Sequence, residues 1–429
     1  MDAIRRVATA RGVDIHQNML VLDGGMGTTL EDVFKADVKH SLWSSRLLAD
    51  DPSTIVKAHR AFHAAGAQII QTCTYQCSPE GLKQAGYAPE LMRQGVSIAS
   101  SAIHPTASSS STYNLSAENA SATRPALIAL SLGPIGAMYG ADYSGQYHPP
   151  YGPSPHSYSS DSPSIPLPSG KDNAVLTDAD VFENAMAAFQ LSRLLTFALD
   201  EPTWRGIDLI TFETVPLLTE ARSIRRAMAQ LNAWLSDRYG DSDATKAVED
   251  CWWWKPFWFS FVFPDGTLPQ KSLPTAQGMT FEVEDIIRAT FLPTQSDTKM
   301  AQPVAVGINC TKLEHMRKLV PEFVRSLSTI RSEFVFPDPW LVIYPDGGEV
   351  YDPVTKTWEF QSNQEDNPQR DEDWAKEVLR FAKMALGTDM SREGGSSTGF
   401  RGCVVGGCCK TGPDHIRALA RLVRGDGSD

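Results

Sequence analysis

The feature that most constrains this 429-residue chain is an alternation of short apolar runs with helix-like stretches. Eight runs have the length and apolar, β-branched character of buried strands: residues 19–22, 68–72, 126–132, 207–212, 258–262, 303–308, 340–344 and 402–405. Between them, apolar residues recur at three- and four-residue steps over 52–65, 178–199, 218–239, 313–332 and 371–386, the pattern of helices with one buried face. Eight such units predict an α/β chain folded as a (β/α)8 TIM barrel. Residues 1–429 read as a single barrel domain with two low-complexity surface insertions, 108–123 rich in Ser, Ala, Thr and Asn, and 147–170 rich in Pro, Ser and Tyr. Neither insertion is expected to carry chemistry.

Charge and hydropathy narrow the partners. With 39 Lys plus Arg against 51 Asp plus Glu, the net charge of −12 offers no global field for a phosphate backbone, so nucleic acid is not expected. No window approaches 18 uninterrupted apolar residues, and Arg5, Arg6, Arg11 and Asp14 occupy the stretch where a signal peptide would need an apolar core. A soluble cytoplasmic protein is expected, with no membrane partner. The sequons at Asn114 and Asn119 then meet no glycosylating enzyme. Seven cysteines, an odd number without an export signal, point to reduced thiols rather than a disulfide framework.

In a barrel the C-terminal strand ends converge on one mouth. Here those ends are Asp23-Gly-Gly-Met-Gly-Thr28, Thr72-Cys-Thr-Tyr-Gln76, Gly133-Pro-Ile-Gly136, Glu213-Thr214, Gly307-Ile-Asn-Cys310, Tyr344-Pro-Asp-Gly-Gly-Glu349 and Gly406-Gly-Cys-Cys-Lys-Thr411. Cys310, Cys408 and Cys409 would bring three thiolates from two strand ends over a cleft, which leaves an open fourth position of the kind catalytic zinc keeps. Gly406 and Gly407 are expected to supply the bend that lets adjacent cysteines face one metal. Spacing alone equally allows three small buried thiols, and Cys73, Cys77, Cys251 and Cys403 read as packing residues.

The remaining groups suit a small cationic ligand. The turn containing Gly24 and Gly25 allows close main-chain approach and aims N–H groups at an anion, although many such turns are only tight connections. It lacks both the dinucleotide GxGxxG spacing and a Walker lysine. Asp23 and Glu213 form a carboxylate pair fit to hold an ammonium group, or two solvated strand-end acids. Trp43, Tyr75 and Gln76 could wall the cleft, their aromatic faces suiting an ammonium or sulfonium ion, or simply pack in the core. Trp252-Trp253-Trp254 reads as cover for a barrel end or a subunit interface, and His415 is left out of the metal set.

Together these motifs resemble the homocysteine S-methyltransferase family from about Val21 to Arg417: DGGMGT at 23–28, LWS at 42–44, IIQTCTYQ at 69–76, SLGPIGA at 131–137, TFETVP at 211–216, WFSF at 258–261, GINC at 307–310 and GGCC at 406–409. The stretch YPDGGEVYD at 344–352, followed by Trp358, is similar to that of the sulfonium-dependent branch. The resemblance implies a methyltransferase that makes methionine, with zinc on Cys310, Cys408 and Cys409 and homocysteine in the open position. It further implies that Asp23 and Glu213 hold the homocysteine amine and that N–H groups near Gly24 and Gly25 take its carboxylate. The implied methyl donor is S-methylmethionine or S-adenosylmethionine. Betaine is the rival donor, and a noncatalytic zinc-binding or thiol-sensing barrel is the rival class. Three departures from the family pattern bear on donor choice: Gln68 stands for an acid, Asp346-Gly347 for Asn-Ser, and Lys410-Thr-Gly-Pro for Arg-Thr-Thr-Pro.

Overall fold

The computed structural model describes residues 2–38, 40, 42–104, 124–138, 142–147, 150–151, 173–240, 251–270, 281–293, 300–352, 357–360, 369–388 and 399–426. Both predicted insertions lie outside the described residues, apart from Tyr147, Pro150 and Tyr151 at the edge of the second. Eight strands form one parallel sheet: β1 (Met19–Val21), β2 (Ile69–Gln71), β3 (Leu127–Leu132), β4 (Leu209–Val215), β5 (Phe257–Phe261), β6 (Ala305–Asn309), β7 (Trp340–Tyr344) and β10 (Cys403–Val405). Each of the eight predicted runs overlaps one of these strands. The neighbours run β1-β10-β7-β6-β5-β4-β3-β2. Leu22 bridges Ile69, with Gln68 N donating to Val21 O at 2.7 Å and Asp23 N to Ile69 O at 3.1 Å, so β1 meets β2 and the sheet closes into a (β/α)8 barrel. A separate hairpin, β8 (Glu349–Asp352) with β9 (Thr357–Phe360), interrupts the path from β7 to β10 and was not anticipated from sequence.

Side chains alternate along every strand, because successive Cβ atoms point to opposite faces. Leu20, Leu22, Ile69, Leu127, Ala129, Leu209, Trp258, Ala305, Trp340, Val342 and Val404 form one apolar cluster, the filling of the barrel. Their neighbours Met19, Val21, Ile70, Ile128, Leu130, Ile210, Phe212, Phe257, Phe259, Val306, Ile308, Leu341, Ile343 and Val405 join a larger cluster with the surrounding helices. Helices Pro52–Ala65 and Leu218–Tyr239 have the bounds expected from periodicity. The first is started by Asp51, whose side chain accepts from Thr54 N at 3.2 Å, and stopped at Gly66, whose φ of 107° disfavours any residue with a Cβ.

The N-terminal end of the barrel is plugged. Helix Ala3–Ala10, capped by Asp2 on Arg5 N at 2.9 Å, sends Ile4, Val7 and Ala8 into the same cluster as the barrel filling. Arg11 Nε reaches Asp208 Oδ1 at 2.7 Å, just ahead of β4. Gln68, one of the three departures from the family pattern, accepts from Val21 N at 3.0 Å and donates to Asp14 O at 2.5 Å. It therefore fastens the β1–β2 seam at the closed end, away from the mouth. The tryptophan run lies at this end too: Trp253 is buried, its carbonyl accepting from Trp204 Nε1 at 2.8 Å, while Trp254 faces Arg6 at 5.9 Å. Among the described residues no helix is long and apolar enough to cross a membrane.

Truncating the plug tests this packing. Ile4→Ala should destabilise the protein by about 2–4 kcal/mol, because the site is fully enclosed and cannot collapse around the lost atoms. The check is the urea unfolding midpoint, which should fall.

Candidate active site at the barrel mouth

The barrel filling turns polar toward the C-terminal strand ends, where Gln71, Ser131, Thr211, Glu213, Ser260 and Asn309 are all buried. Above this layer, ligand atoms of Cys310, Cys408, Cys409 and Asp346 lie within 4.8 Å of one another. Cys310 and Cys408, with Cα atoms 5.4 Å apart, pair as a disulfide in this structure, where free thiols were expected; only on reduction do both sulfurs become thiolate ligands, and the other five cysteines form no disulfide. Cys73, Cys77 and Cys403 are buried away from the cluster, as packing residues should be.

Cys408 and Cys409 are delivered by a clasp of main chain between three strand ends. Gly407 N donates to Asp23 O at 3.1 Å, Gly25 N to Thr411 O at 3.0 Å, Cys408 N to Pro345 O at 2.9 Å and Gly347 N to Cys409 O at 2.8 Å. A Cβ on Gly25 would collide with the Cys408 carbonyl, one on Gly347 with the Lys410 carbonyl, and one on Gly407 with the Thr411 side chain. The expectation that Gly406 and Gly407 provide an unusual bend is thus corrected. Neither is among the positive-φ residues; the left-handed turn is at Lys410, with φ 60°, and the two glycines serve close approach. Gly25 N–H, expected to be open to a ligand anion, is already shared between Thr411 O and Thr411 Oγ1 at 3.2 Å.

Cys310 comes from the opposite side and is held in a left-handed conformation, φ 45°. Asn309, next to it, accepts from Thr214 N and donates to Thr214 Oγ1, both at 2.8 Å, and its Nδ2 lies 3.8 Å from Cys408 Sγ. Thr214, with φ 60°, sits in the register shift between Phe212 and Val215, a bulge that re-aims the end of β4. Asn309 therefore ties the bulge carrying Glu213 to the thiol cluster.

The two predicted carboxylates are buried and near enough that Glu213 raises the Asp23 pKa. Asp23 Oδ2 accepts from Gln71 N at 2.9 Å, while Oδ1 is buried with no hydrogen-bond partner among the described residues. Glu213 accepts from Ser131 Oγ and, at 3.4 Å, from Thr211 Oγ1. Burial holds both acids above the usual carboxylate range, most strongly Asp23. No ion pair among the described residues involves either one.

The wall residues divide by partner. The Trp43 indole lies on Gly27, where a Cβ would enter the ring, and the Tyr75 ring lies over Gly133 in the same way. Tyr75 Oη donates to Asp142 Oδ2 at 3.0 Å, and Gln76 Nε2 to Ala137 O at 3.1 Å. Buried Arg193 joins the ends of β2 and β3 from behind, donating to Tyr75 O at 2.8 Å and Gly133 O at 2.7 Å. His415 Nε2 lies 3.3 Å from Asp371 and its ring meets Trp374 edge-on, apart from the thiols. The sequence marks Asp346 only as a departure from the family pattern and gives Asn309 and Thr214 no role although each stands inside a quoted motif, and nothing in it singles out Asp142 and Tyr143.

The donor set fits a thiophilic dication such as zinc. It offers three sulfurs and a carboxylate, Asp346 Oδ1 is buried without a hydrogen-bond partner, and burial raises Asp346 to about 7 and the Cys409 thiol well above its ordinary value.

A parallel barrel whose mouth gathers thiols, a buried acid pair and aromatic rings has the architecture of a barrel enzyme working on a small polar substrate. The family model for homocysteine S-methyltransferase matches residues 20–423, and the chain belongs to that family. It is 26% identical over 412 residues to the Bacillus subtilis homocysteine S-methyltransferase YbgG, covering 95% of both chains. It is 30% identical over 417 residues to maize homocysteine S-methyltransferase 4, covering 94% of this chain and 89% of that one. An Astragalus bisulcatus selenocysteine methyltransferase is 27% identical over 412 residues, covering 94% and 92%. The metallated form of the Escherichia coli homocysteine methyltransferase MmuM shares the fold with a TM-score of 0.54 at 22% identity, covering 95% and 96%. The protein is accordingly a methyltransferase acting on homocysteine.

The clasp generates a paired prediction. Gly407→Ala should lower bound metal by more than about tenfold, because its Cβ displaces Thr411 and with it the Cys408–Cys409 segment. Gly412→Ala, with nothing near its Cβ, should leave metal content unchanged. Elemental analysis of the two purified variants decides it.

Proposed function

We propose that this chain transfers a methyl group from a sulfonium donor, S-methylmethionine or S-adenosylmethionine, to L-homocysteine, with zinc held by Cys310, Cys408 and Cys409. The observation that carries this reading is the convergence of three cysteine sulfurs, available as thiolates once the Cys310–Cys408 pair is reduced, beside a buried acid pair that forms no ion pair among the described residues. Zinc at that site would supply the charge that takes the proton from the homocysteine thiol and leaves a nucleophilic sulfur.

Asp23 and Glu213 hold the substrate ammonium group. Burial raises both pKa values, the charge of Glu213 adding to the rise at Asp23, and a cation between them would favour their charged forms. Because Gly25 N–H is engaged with Thr411, the substrate carboxylate falls to the neighbouring amides of Gly24 and Met26, the latter opening helix Met26–Asp32. Trp43, Tyr75 and Gln76 line the side of the cleft that receives the donor. In the transfer, the homocysteine sulfur forms a bond to the methyl carbon as the bond from that carbon to the donor sulfur breaks. The electron pair stays on the donor sulfur, which leaves as a neutral thioether without a proton. Orientation is then the main work of the protein, and good alignment can lower such a barrier by about 7–11 kcal/mol.

The 20–423 span of the family match favours reading the chain as one barrel domain. The five cysteines outside the Cys310–Cys408 pair form no disulfide, which suits a reducing compartment such as the cytoplasm.

The direct test is methionine formation from homocysteine by zinc-loaded protein, with S-methylmethionine, S-adenosylmethionine and betaine supplied separately. Turnover is expected with a sulfonium; turnover with betaine alone, or with no donor despite bound zinc, overturns the proposal. Cys408→Ser should lose both bound zinc and activity. Asp23→Ala and Glu213→Ala should keep zinc yet bind homocysteine about 10–150-fold more weakly, the loss corresponding to one charge-assisted hydrogen bond. Calorimetric titration with homocysteine measures that directly.

A further inference from the structure

Two side chains at the mouth have no part in the account above. Tyr143 Oη lies 3.7 Å from Cys409 Sγ, and Tyr143 keeps 38% of its surface exposed, so it sits over the thiol cluster as a partial roof. Asp142, the preceding residue, accepts from Tyr75 Oη at 3.0 Å. The segment carrying them is pinned farther along. Gly145, at φ 64°, packs against Pro216 and Leu217, and Tyr147 Oη donates to Glu220 at 2.5 Å. No Lys or Arg among the described residues forms an ion pair with Asp142. Lys410, the basic residue next to Cys409, extends instead to Asp32 at 2.7 Å.

A sulfonium centre has no N–H or O–H to donate. It is recognised chiefly as a cation, most strongly by a carboxylate and by the electron-rich faces of aromatic rings. In-line transfer also fixes its position: the methyl carbon must come within roughly 3–3.5 Å of the homocysteine sulfur, with the donor sulfur directly behind it. The cation is thereby confined to the immediate surroundings of the thiol cluster, where Asp142, Tyr75 and Tyr143 stand together.

We propose that Asp142, oriented by the Tyr75 hydroxyl and roofed by Tyr143, is the carboxylate that binds the sulfonium group of the methyl donor. This inference rests on the sulfonium-donor reading above. It explains why an acid is kept beside a cluster of thiols that already carries negative charge: the acid's counter-ion arrives with each donor molecule. The same field repels an anionic methyl carrier.

The experiment is steady-state kinetics on the zinc-loaded full chain, with homocysteine and S-methylmethionine varied in turn. Asp142→Asn should raise KM for S-methylmethionine by about 10–100-fold, the loss of one charge-assisted contact, while bound zinc and KM for homocysteine stay within about twofold. Asp142→Glu should recover part of that loss. Tyr75→Phe, which removes only the orienting hydroxyl, should move the donor KM in the same direction by a smaller factor, and it stands in if the Asn variant fails to fold. An unchanged donor KM in Asp142→Asn or, where that variant does not fold, in Tyr75→Phe overturns the assignment while leaving the sulfonium reading intact. Equal losses in zinc, homocysteine and donor binding also overturn it, because they mark a structural role. If the wild-type chain uses no sulfonium at all, the underlying reading fails and the assignment of Asp142 fails with it.

Discussion

The main-chain clasp at the mouth is the interaction on which the rest of the site depends. Segments 23–25, 345–347 and 407–411 exchange backbone hydrogen bonds across the ends of β1, β7 and β10. They approach so closely that glycine is required where a Cβ would enter a neighbouring carbonyl or side chain. Adjacent cysteines on an ordinary strand point to opposite faces. Here the strand has ended and the chain turns at Lys410, so Cys408 and Cys409 both reach the cluster containing Cys310 and Asp346.

Barrel closure gives this clasp its rigidity. An apolar filling plugged from below by helix Ala3–Ala10 keeps the strands in register, and the polar layer above it presents Gln71, Ser131, Thr211 and Glu213 toward the mouth. The bulge at Thr214 and the double hydrogen bond from Asn309 couple the acid-bearing strand to the thiol-bearing one. A shift at either side would be transmitted to the other, because the interior between them is packed and has no slack.

The electrostatic character of the mouth follows from what is missing among the described residues. Asp23, Glu213, Asp142 and Asp346 are gathered there with the cysteine sulfurs, while Lys410 pairs with Asp32 and Lys312 acts on Asp346. Burying unpaired acids is unfavourable. The cost is tolerated when ligands bring the cations, and the proposed chemistry supplies three: a metal ion, an ammonium group and a sulfonium group. On that proposal a single arrangement would serve all three.

The barrel, five of its outer helices and the residues on which metal and substrate groups are expected are legible in the chain's local patterns. Strand periodicity, helix periodicity and glycine-flanked motifs are local properties, written within a few residues of one another. The remaining features depend on contacts between distant segments. Gly406 and Gly407 look from sequence like bend-formers, yet their neighbours across the clasp show that they make room. Gly25 looks like an anion donor until Thr411 is found on its amide. Asp346 joins the thiols, Asn309 bridges two strand ends, and Asp142 reaches the mouth from a loop without a motif. None of these could be read from spacing, because a side chain's role at a barrel mouth is set by whichever other strand end folds against it.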